Sequence, residues 1–206
     1  PFNGGIYFYN DGRAATAFGH TRPAYWRQEV RDFITDQTEF LLETYRMDGM
    51  RWDLTSLIYN HDNGSLPEGA SLLREINDQV DASHPWKIIT AEDFLSEDWA
   101  TDSTSNGGLG FDSQWSDEFF KPVHDILETT DDTNRDMNTV AGVIAQSYNG
   151  QPFNRIIYTE SHDEVANGRS RMPDMIQPGD PEGFFARKRS TLGAALVFTS
   201  PGIPMM

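Results

Sequence analysis

Short apolar strands alternate with amphipathic helices along most of the chain, and this alternation constrains the fold more than any other feature. Strands are predicted at residues 50–53, 87–92 and 155–160, where short runs of β-branched and apolar residues stand between turn-forming residues. The spacing of apolar residues predicts helices at residues 24–46, 72–80, 117–129, 137–148 and 181–198. The first helix is expected to turn one apolar face to the core, made of Trp26, Val30, Phe33, Ile34, Leu41 and Tyr45. Residues 1–23 are expected to form a long loop. Such an alternation predicts an α/β fold, with a parallel sheet covered by helices.

The loops that follow the predicted strands are long, at residues 54–68, 93–106 and 161–180. In a (β/α)₈ barrel the loops on the carboxyl side of the strands build the active site. A doubly wound open sheet binds its ligands at the same strand ends. The residues alone therefore favour a barrel and leave the open sheet as the alternative.

The charge balance excludes several classes of partner. The chain has 206 residues, with 16 Lys and Arg against 32 Asp and Glu, so its formal net charge is −16. Nucleic acids and anionic membrane surfaces both require clustered positive charge. No run of apolar residues is long enough to span a membrane, and the absence of cysteine excludes disulfides and thiolate metal sites. A neutral ligand fits this composition better.

Acidic residues stand at the carboxyl ends of all three predicted strands. Asp53 ends the first strand, Glu92 ends the second, and the third leads into His162 and Asp163. One such acid is as easily explained as the N-cap of a following helix. Three acids at one edge of a sheet are costly for a core and useful for a site, so together they favour a site.

The surroundings of these acids suggest different roles. Arg51 lies two residues before Asp53, so both side chains project from the same face of a strand, as a functional pair or as a structural ion pair. Glu92 follows an apolar run and is expected to be desolvated enough to keep its proton. Glycoside cleavage needs one anionic and one protonated carboxyl group, which Asp53 and Glu92 would supply. Asp163 would then stabilise a positively charged transition state, and His162 would donate a hydrogen bond to a sugar hydroxyl.

The remaining sequence features give weaker indications of function. His162 has no second histidine at ligand spacing, so no metal site is expected. The glycines in residues 107–110 lack the pattern of a phosphate-binding loop and indicate a tight backbone turn. Five aromatic side chains are candidates for stacking on sugars, although each is expected to be a core residue instead: Tyr25, Trp26, Trp86, Trp99 and Trp115. Trp52 points away from Arg51 and is also expected in the core.

Three segments, residues 48–53, 90–93 and 160–165, resemble three of the four conserved blocks of the α-amylase superfamily, in the same order. The resemblance implies a (β/α)₈ TIM barrel and a retaining double displacement. It implies that Asp53 is the nucleophile, Glu92 the general acid/base and Asp163 the transition-state stabiliser, with Arg51 and His162 binding substrate. It implies no cofactor.

A finer resemblance is to 1,4-α-glucan branching enzymes, carried by residues 29–33, 42–49 and 107–115. It implies an α-glucan substrate such as glycogen, starch or a maltooligosaccharide, with cleavage of α-1,4 and formation of α-1,6 linkages. The alternative is an α-amylase-type or trehalose-releasing hydrolase, since residues 166–171 differ from most branching enzymes. A non-catalytic binding or scaffolding member is a third possibility. A cytoplasmic location is the expectation.

The upstream block of the superfamily is not found in the chain, which also starts without methionine and stops within an apolar run. We therefore expect residues 1–206 to be a piece of one catalytic barrel domain, running roughly from its third or fourth to its eighth βα unit. This piece alone is expected to be poorly stable and inactive, because a partial barrel exposes sheet edges and part of its core.

Overall fold

The structure, a computed structural model, describes residues 5–206 of the chain. The chain divides into two compact units, Pro1–Gln114 and Trp115–Met206. Within the described residues, no helix combines the length and the apolar character that a membrane span requires.

The first unit is built on parallel strands with helices packed against them. Its elements are α1 (Gln28–Glu43), β1 (Gly49–Trp52), α2 (Thr55–Tyr59), the hairpin strands β2 (Asn60–His61) and β3 (Gly64–Ser65), α3 (Pro67–Ser83) and β4 (Ile88–Ala91). A further strand, β5 (Ser113–Trp115), begins at the end of this unit. β4 lies between β1 and β5 and is parallel to both. The register sets Trp52 opposite Ala91, so β1 and β4 end side by side.

A glycine at the start of β1 permits this close pairing. A Cβ atom on Gly49 would lie 2.0 Å from the backbone carbonyl oxygen of Ile88. No side chain fits that distance, so glycine is required where the two strands meet. Glycine at the start of β1 is therefore a packing requirement of the sheet.

The buried face of α1 agrees with the predicted one only in part: Val30 is buried as expected. Trp26, Phe33 and Tyr45 were expected to face the core, yet each is more than half exposed. Arg31 is buried instead, where it donates hydrogen bonds to the carbonyl oxygens of Tyr25 and Glu68 and forms an ion pair with Glu75. Carbonyl groups on the neighbouring segments thus select a guanidinium, not an apolar side chain, for this interface.

The second unit contains α4 (Asp117–Glu128), α5 (Met137–Ala145), β6 (Arg155–Ile157), α6 (Met172–Ile176), α7 (Phe184–Thr199) and β7 (Ile203–Pro204). β6 and β7 pair in parallel. Arg155 is fully buried and donates to the carbonyl oxygens of Val143, Ile144 and Pro201. These bonds attach β6 to the end of α5 and to the segment before β7.

The α/β prediction is confirmed, with shifts at the ends of elements. The first helix runs from residue 28 instead of 24, and the third predicted strand ends at Ile157, not at residue 160. The predicted loop 54–68 contains α2 and the β2–β3 hairpin, and β5 was not predicted. The loop predicted at residues 1–23 contains a 3₁₀ turn at Gly12–Ala14; its residues 1–4 lie outside the described part of the chain.

Candidate functional site

The guanidinium of Arg51 contacts both carboxyl groups at the ends of β1 and β4. One of its terminal nitrogens donates to Asp53 Oδ1 at 2.7 Å. The other terminal nitrogen lies 2.6 Å from Glu92 Oε2. The strand register explains the arrangement, because the last residues of β1 and β4 stand opposite each other and the two acids follow directly. The structure thus brings Arg51, Asp53 and Glu92 together.

The two acids have contrasting surroundings. The Asp53 side chain is 67% exposed, whereas the Glu92 side chain is only 6% exposed. Burial raises the pKa of the Glu92 carboxyl above its ordinary value, against the opposing effects of the Leu54 amide and the Arg51 charge. The neighbouring Asp53 charge adds to the rise. One carboxyl group is therefore open to a ligand while the other is biased toward its protonated form.

The backbone after Asp53 also reaches Glu92. Leu54 adopts left-handed backbone angles, φ 47° and ψ 49°, which are uncommon for a residue other than glycine. In this conformation its amide donates to Glu92 Oε2 at 2.9 Å. The next amide, of Thr55, donates to the Glu92 carbonyl oxygen at 2.9 Å. The start of α2 therefore lies directly against the second acid.

Asp53 borders a small cavity of about 190 Å³ within the first unit. Other walls come from Thr16, Thr21, Arg22 and Pro23, in the segment predicted only as a loop, and from Tyr25, one of the aromatic candidates. Arg22 supports this loop; it is buried and donates to the carbonyl oxygens of Ala15 and Asn60. Sequence reasoning missed the wall residues of this loop, because nothing in an irregular segment indicates which strand end it will approach.

His162 and Asp163 belong to the second unit, in the loop that follows β6. His162 Nε2 lies 3.2 Å from Asp163 Oδ2, and both side chains are more than half exposed. His162 also meets the Trp115 ring edge-to-face, with 6.1 Å between ring centroids. A cavity of about 330 Å³ opens beside them, lined by His162 and Trp115 together with Glu160 and Arg171. Glu160 and Arg171 form an ion pair at 2.7 Å.

The aromatic candidates divide into two groups. Tyr25 and Trp115 are buried core residues, and Trp99 packs against the core of the first unit, as does Trp52. Trp26 and Trp86 are 56% and 71% exposed, so the expectation that they are core residues is wrong. Trp26 lies before the first helical turn of α1 and Trp86 follows Pro85, positions at which the chain reverses on the surface of the unit.

The glycine-rich segment 107–110 forms the tight turn that was predicted. Gly107 and Gly110 have φ angles of 92° and 80°, which favour glycine. A Cβ atom on Gly108 would lie 2.1 Å from the carbonyl oxygen of Asp102.

Within residues 5–206 no group of three or more His, Asp or Glu side chains is placed to hold a metal ion.

A buried polar group next to Glu92 in the chain was not singled out from the sequence. Thr55, Tyr59 and Asp93 form a buried hydrogen-bonded group behind it. The signal that was available is the acid pair Glu92-Asp93, because a second carboxylate after a strand needs its own donors if it is buried.

Sequence comparison finds related proteins over most of the chain. The protein named 1,4-alpha-glucan branching enzyme GlgB of Bacillus mycoides (strain KBAB4) is 30% identical over 183 residues, covering 85% of this chain and 27% of that protein. The protein of the same name from Bacillus cereus (strain AH820) is 31% identical over the same extent. No protein-family profile matches the chain.

Solved structures share the fold. Pullulanase from Anoxybacillus sp. LM18-11, complexed with maltotriose, matches with a TM-score of 0.64 and 20% identity, covering 97% of this chain and 30% of that chain. Cyclic alpha-maltosyl-(1→6)-maltose hydrolase from Arthrobacter globiformis, in complex with maltose, matches with a TM-score of 0.66 and 18% identity, covering 90% of this chain and 36% of that one.

Together with the three sequence blocks, these findings confirm the resemblance of the chain to the α-amylase superfamily of glycoside hydrolases and transglycosylases. Within that superfamily, the relatives found by sequence carry the name of 1,4-α-glucan branching enzymes. The chain spans about a quarter of the length of these relatives, 27%.

Proposed function

We propose that this protein is an α-glucan-active retaining glycosyl transferase or hydrolase that uses Asp53 as nucleophile and Glu92 as general acid/base. The observation that carries the proposal is the Arg51 guanidinium held between an exposed and a buried carboxyl group. Retaining glycoside cleavage needs this pair of an anion and a protonated acid. The raised pKa of Glu92 supports the assignment of the two roles.

In the first step, the Asp53 carboxylate attacks the anomeric carbon of the sugar. The bond from that carbon to the glycosidic oxygen breaks, and its electron pair stays on the oxygen, which takes the proton of Glu92. The departing part of the glucan leaves as an alcohol, and the remainder is held as an ester on Asp53. Arg51 orients the Asp53 carboxylate through the 2.7 Å hydrogen bond.

In the second step, the Glu92 carboxylate removes a proton from an acceptor hydroxyl while that oxygen attacks the anomeric carbon. The ester bond to Asp53 breaks and both carboxyl groups return to their first states. We assign to Asp163 the electrostatic stabilisation of the positive charge that develops on the sugar. We assign to His162, whose ring is exposed, a hydrogen bond to a sugar hydroxyl.

The acceptor decides between the two activities. We favour a sugar 6-hydroxyl, hence cleavage of α-1,4 and formation of α-1,6 linkages, because the relatives found by sequence are named branching enzymes. The alternative is water as acceptor, which the fold shared with a pullulanase and a maltose-derivative hydrolase favours. The chemistry as far as the intermediate is the same in both.

The proposal extends to the domain and its partners. We propose that both units belong to one catalytic barrel domain, supported by fold matches that cover 97% of the chain. The proposed substrate is a neutral α-glucan such as glycogen, starch or a maltooligosaccharide, which suits a chain with a net charge of −16. The exclusion of nucleic acid and membrane as partners and the cytoplasmic location stay predictions.

The test is to express the protein at its full natural length and to incubate it with linear amylose. The α-1,6 anomeric protons are followed by NMR, and new reducing ends are measured in the same samples. We expect growing α-1,6 signal with few new reducing ends. Reducing ends without α-1,6 signal would reject branching and assign water as the acceptor.

Asp53→Asn provides the control for the site itself. We expect this substitution to lower turnover by at least about 10³-fold, since it removes the nucleophile. If the variant keeps full activity, or if the unsubstituted protein acts on no α-glucan, the catalytic proposal fails and a binding or scaffolding role takes its place.

A further inference from the structure

A second carboxylate, Asp93, is enclosed directly behind Glu92. It is 2% exposed. Its Oδ2 accepts hydrogen bonds from the Tyr59 hydroxyl at 2.6 Å and from the Thr55 hydroxyl at 3.0 Å, and its Oδ1 accepts from the Leu95 amide at 2.9 Å. A buried carboxylate is costly unless it is hydrogen-bonded in this way. The chain thus places a satisfied buried acid where an apolar side chain would pack at lower cost.

The two hydroxyl donors to Asp93 come from the two ends of one short helix. Thr55 is the first residue of α2 and Tyr59 is the last. Both are buried. α2 directly follows Asp53 and Leu54 in the chain, so Asp93 fixes the helix that connects one proposed catalytic acid to the rest of the unit.

The same helix holds Glu92 through its own N-terminal end. The Thr55 amide donates to the Glu92 carbonyl oxygen at 2.9 Å, and the Thr55 hydroxyl, whose single proton is shared with Asp93, lies 3.0 Å from the same oxygen. The Leu54 amide donates to the Glu92 carboxyl oxygen Oε2 at 2.9 Å. That last bond requires the left-handed backbone of Leu54, an arrangement that persists only where the surrounding structure enforces it.

We infer that Asp93, Thr55 and Tyr59 are positioning residues for Glu92: they lock α2 so that the Leu54 amide orients the carboxyl group of the general acid toward the glycosidic oxygen. This inference rests on the proposed function and adds to it residues that need not touch substrate. Without the lock, Leu54 can relax to ordinary backbone angles, and the Glu92 carboxyl loses its backbone donor. The glycosidic oxygen is then protonated less efficiently, while Asp53 and its hydrogen bond to Arg51 are unaffected.

A glycosyl fluoride separates positioning of the acid from general loss of structure. When the leaving group is fluoride, the bond between the anomeric carbon and fluorine breaks and fluoride departs as an anion, so no proton from Glu92 is needed. An α-maltooligosyl fluoride and the maltooligosaccharide of the same length are therefore compared. The quantity compared is kcat/KM, which reports only the steps as far as the glycosyl-enzyme.

The decisive variant is Tyr59→Phe, expressed in the full-length protein. It removes one hydroxyl from the lock and keeps the ring, which meets Trp99 edge-to-face. We expect kcat/KM for the oligosaccharide to fall about tenfold to a hundredfold, and that for the fluoride to change less than about twofold. Thr55→Val is expected to act in the same way, and Thr55→Ser, which keeps the hydroxyl, to restore the oligosaccharide rate.

The matched control is Tyr9→Phe. Tyr9 is also a buried tyrosine of the first unit, and its hydroxyl donates to a carboxylate, Glu68, at 2.8 Å. It is not part of the group around Glu92, so we expect its removal to leave the ratio of the two rates unchanged. Thermal unfolding of each variant shows that it is folded.

The outcomes distinguish the inference from the proposed function. If Tyr59→Phe and Thr55→Val lower both rates equally, or lower neither, the positioning role is refuted while the function stands. Glu92→Gln should itself lose the oligosaccharide rate selectively. If it does not, Glu92 is not the general acid, and the proposed function fails first.

Discussion

Two carboxyl groups, those of Asp53 and Glu92, are suited to different roles in this site because their surroundings differ. Asp53 is placed by strand periodicity, and its contact with Arg51 follows from a spacing of two residues, so both could be predicted from the sequence. The desolvation of Glu92 was predictable from the apolar run before it. The left-handed Leu54 was not, since leucine has no local preference for that conformation and only tertiary contacts impose it.

The burial of Glu92 predicts a trade-off between stability and activity. Its pKa is raised in the folded state, so the folded protein retains a proton that the unfolded chain releases above the ordinary value of 4.5. The stabilisation from protonated Glu92 is therefore present at low pH and lost as the pH rises through the folded pKa. Glu92→Gln mimics the protonated form at every pH.

We expect Glu92→Gln to raise the melting temperature at pH 7 by about 1–3 °C while abolishing turnover of oligosaccharides. The gain should shrink as the pH is lowered toward 4.5, the ordinary value of the group. Differential scanning calorimetry over this pH range measures the change in melting temperature. The control is Asp36→Asn, which changes an exposed acidic side chain. A lower melting temperature at pH 7 would mean that the contact with Arg51 outweighs the cost of burial.

At the scale of elements, the strands that follow an apolar pattern were predictable and those that do not were missed. β5 has only three residues, and two of them, Ser113 and Gln114, are polar yet fully buried. The Gln114 side-chain amide nitrogen donates to the Glu97 carbonyl oxygen at 2.9 Å. A polar strand held by such contacts gives no hydrophobic signal. The buried face of α1 was mispredicted for the same reason, because the buried side chain of Arg31 is charged and gives no hydrophobic signal.

The pairing of β1 with β4 predicts a strong effect at Gly49. A Cβ atom there would stand 2.0 Å from the Ile88 carbonyl oxygen, so the two strands must move apart to admit it. We expect Gly49→Ala to destabilise the protein by at least about 2 kcal/mol, and to lower activity because β1 and β4 carry Asp53 and Glu92 at their ends. Chemical denaturation measures the loss of stability.

Gly12→Ala is the control for that experiment, because nothing lies within 4 Å of its Cβ position. Its effect should stay within about 0.5 kcal/mol. Equal stability of the two variants would show that the strands adjust freely at Gly49. The alignment of Asp53 with Glu92 would then not depend on the pairing of β1 with β4.

At the scale of the whole molecule, the alternation of strands and helices was sufficient to predict an α/β fold, while the exposed apolar surface was not foreseen in detail. In the first unit Phe33, Phe40, Trp86 and Ile88 are each at least 45% exposed. In the second unit the helix α7 exposes several large side chains: Phe184, Phe185, Leu192 and Phe198. Exposed apolar side chains in such number are unusual for a stable monomer in isolation.

We therefore expect residues 1–206, expressed alone, to be poorly stable and inactive. The exposed apolar side chains of both units should bind a hydrophobic dye such as ANS and promote self-association, although the net charge of −16 opposes aggregation. Dye fluorescence, sedimentation velocity and thermal unfolding are measured on the isolated chain and on the full-length protein, together with turnover of amylose. A monomer that unfolds cooperatively, binds no dye and turns over amylose would contradict the prediction. In that case, one quarter of the length of the relatives would be sufficient for a complete site.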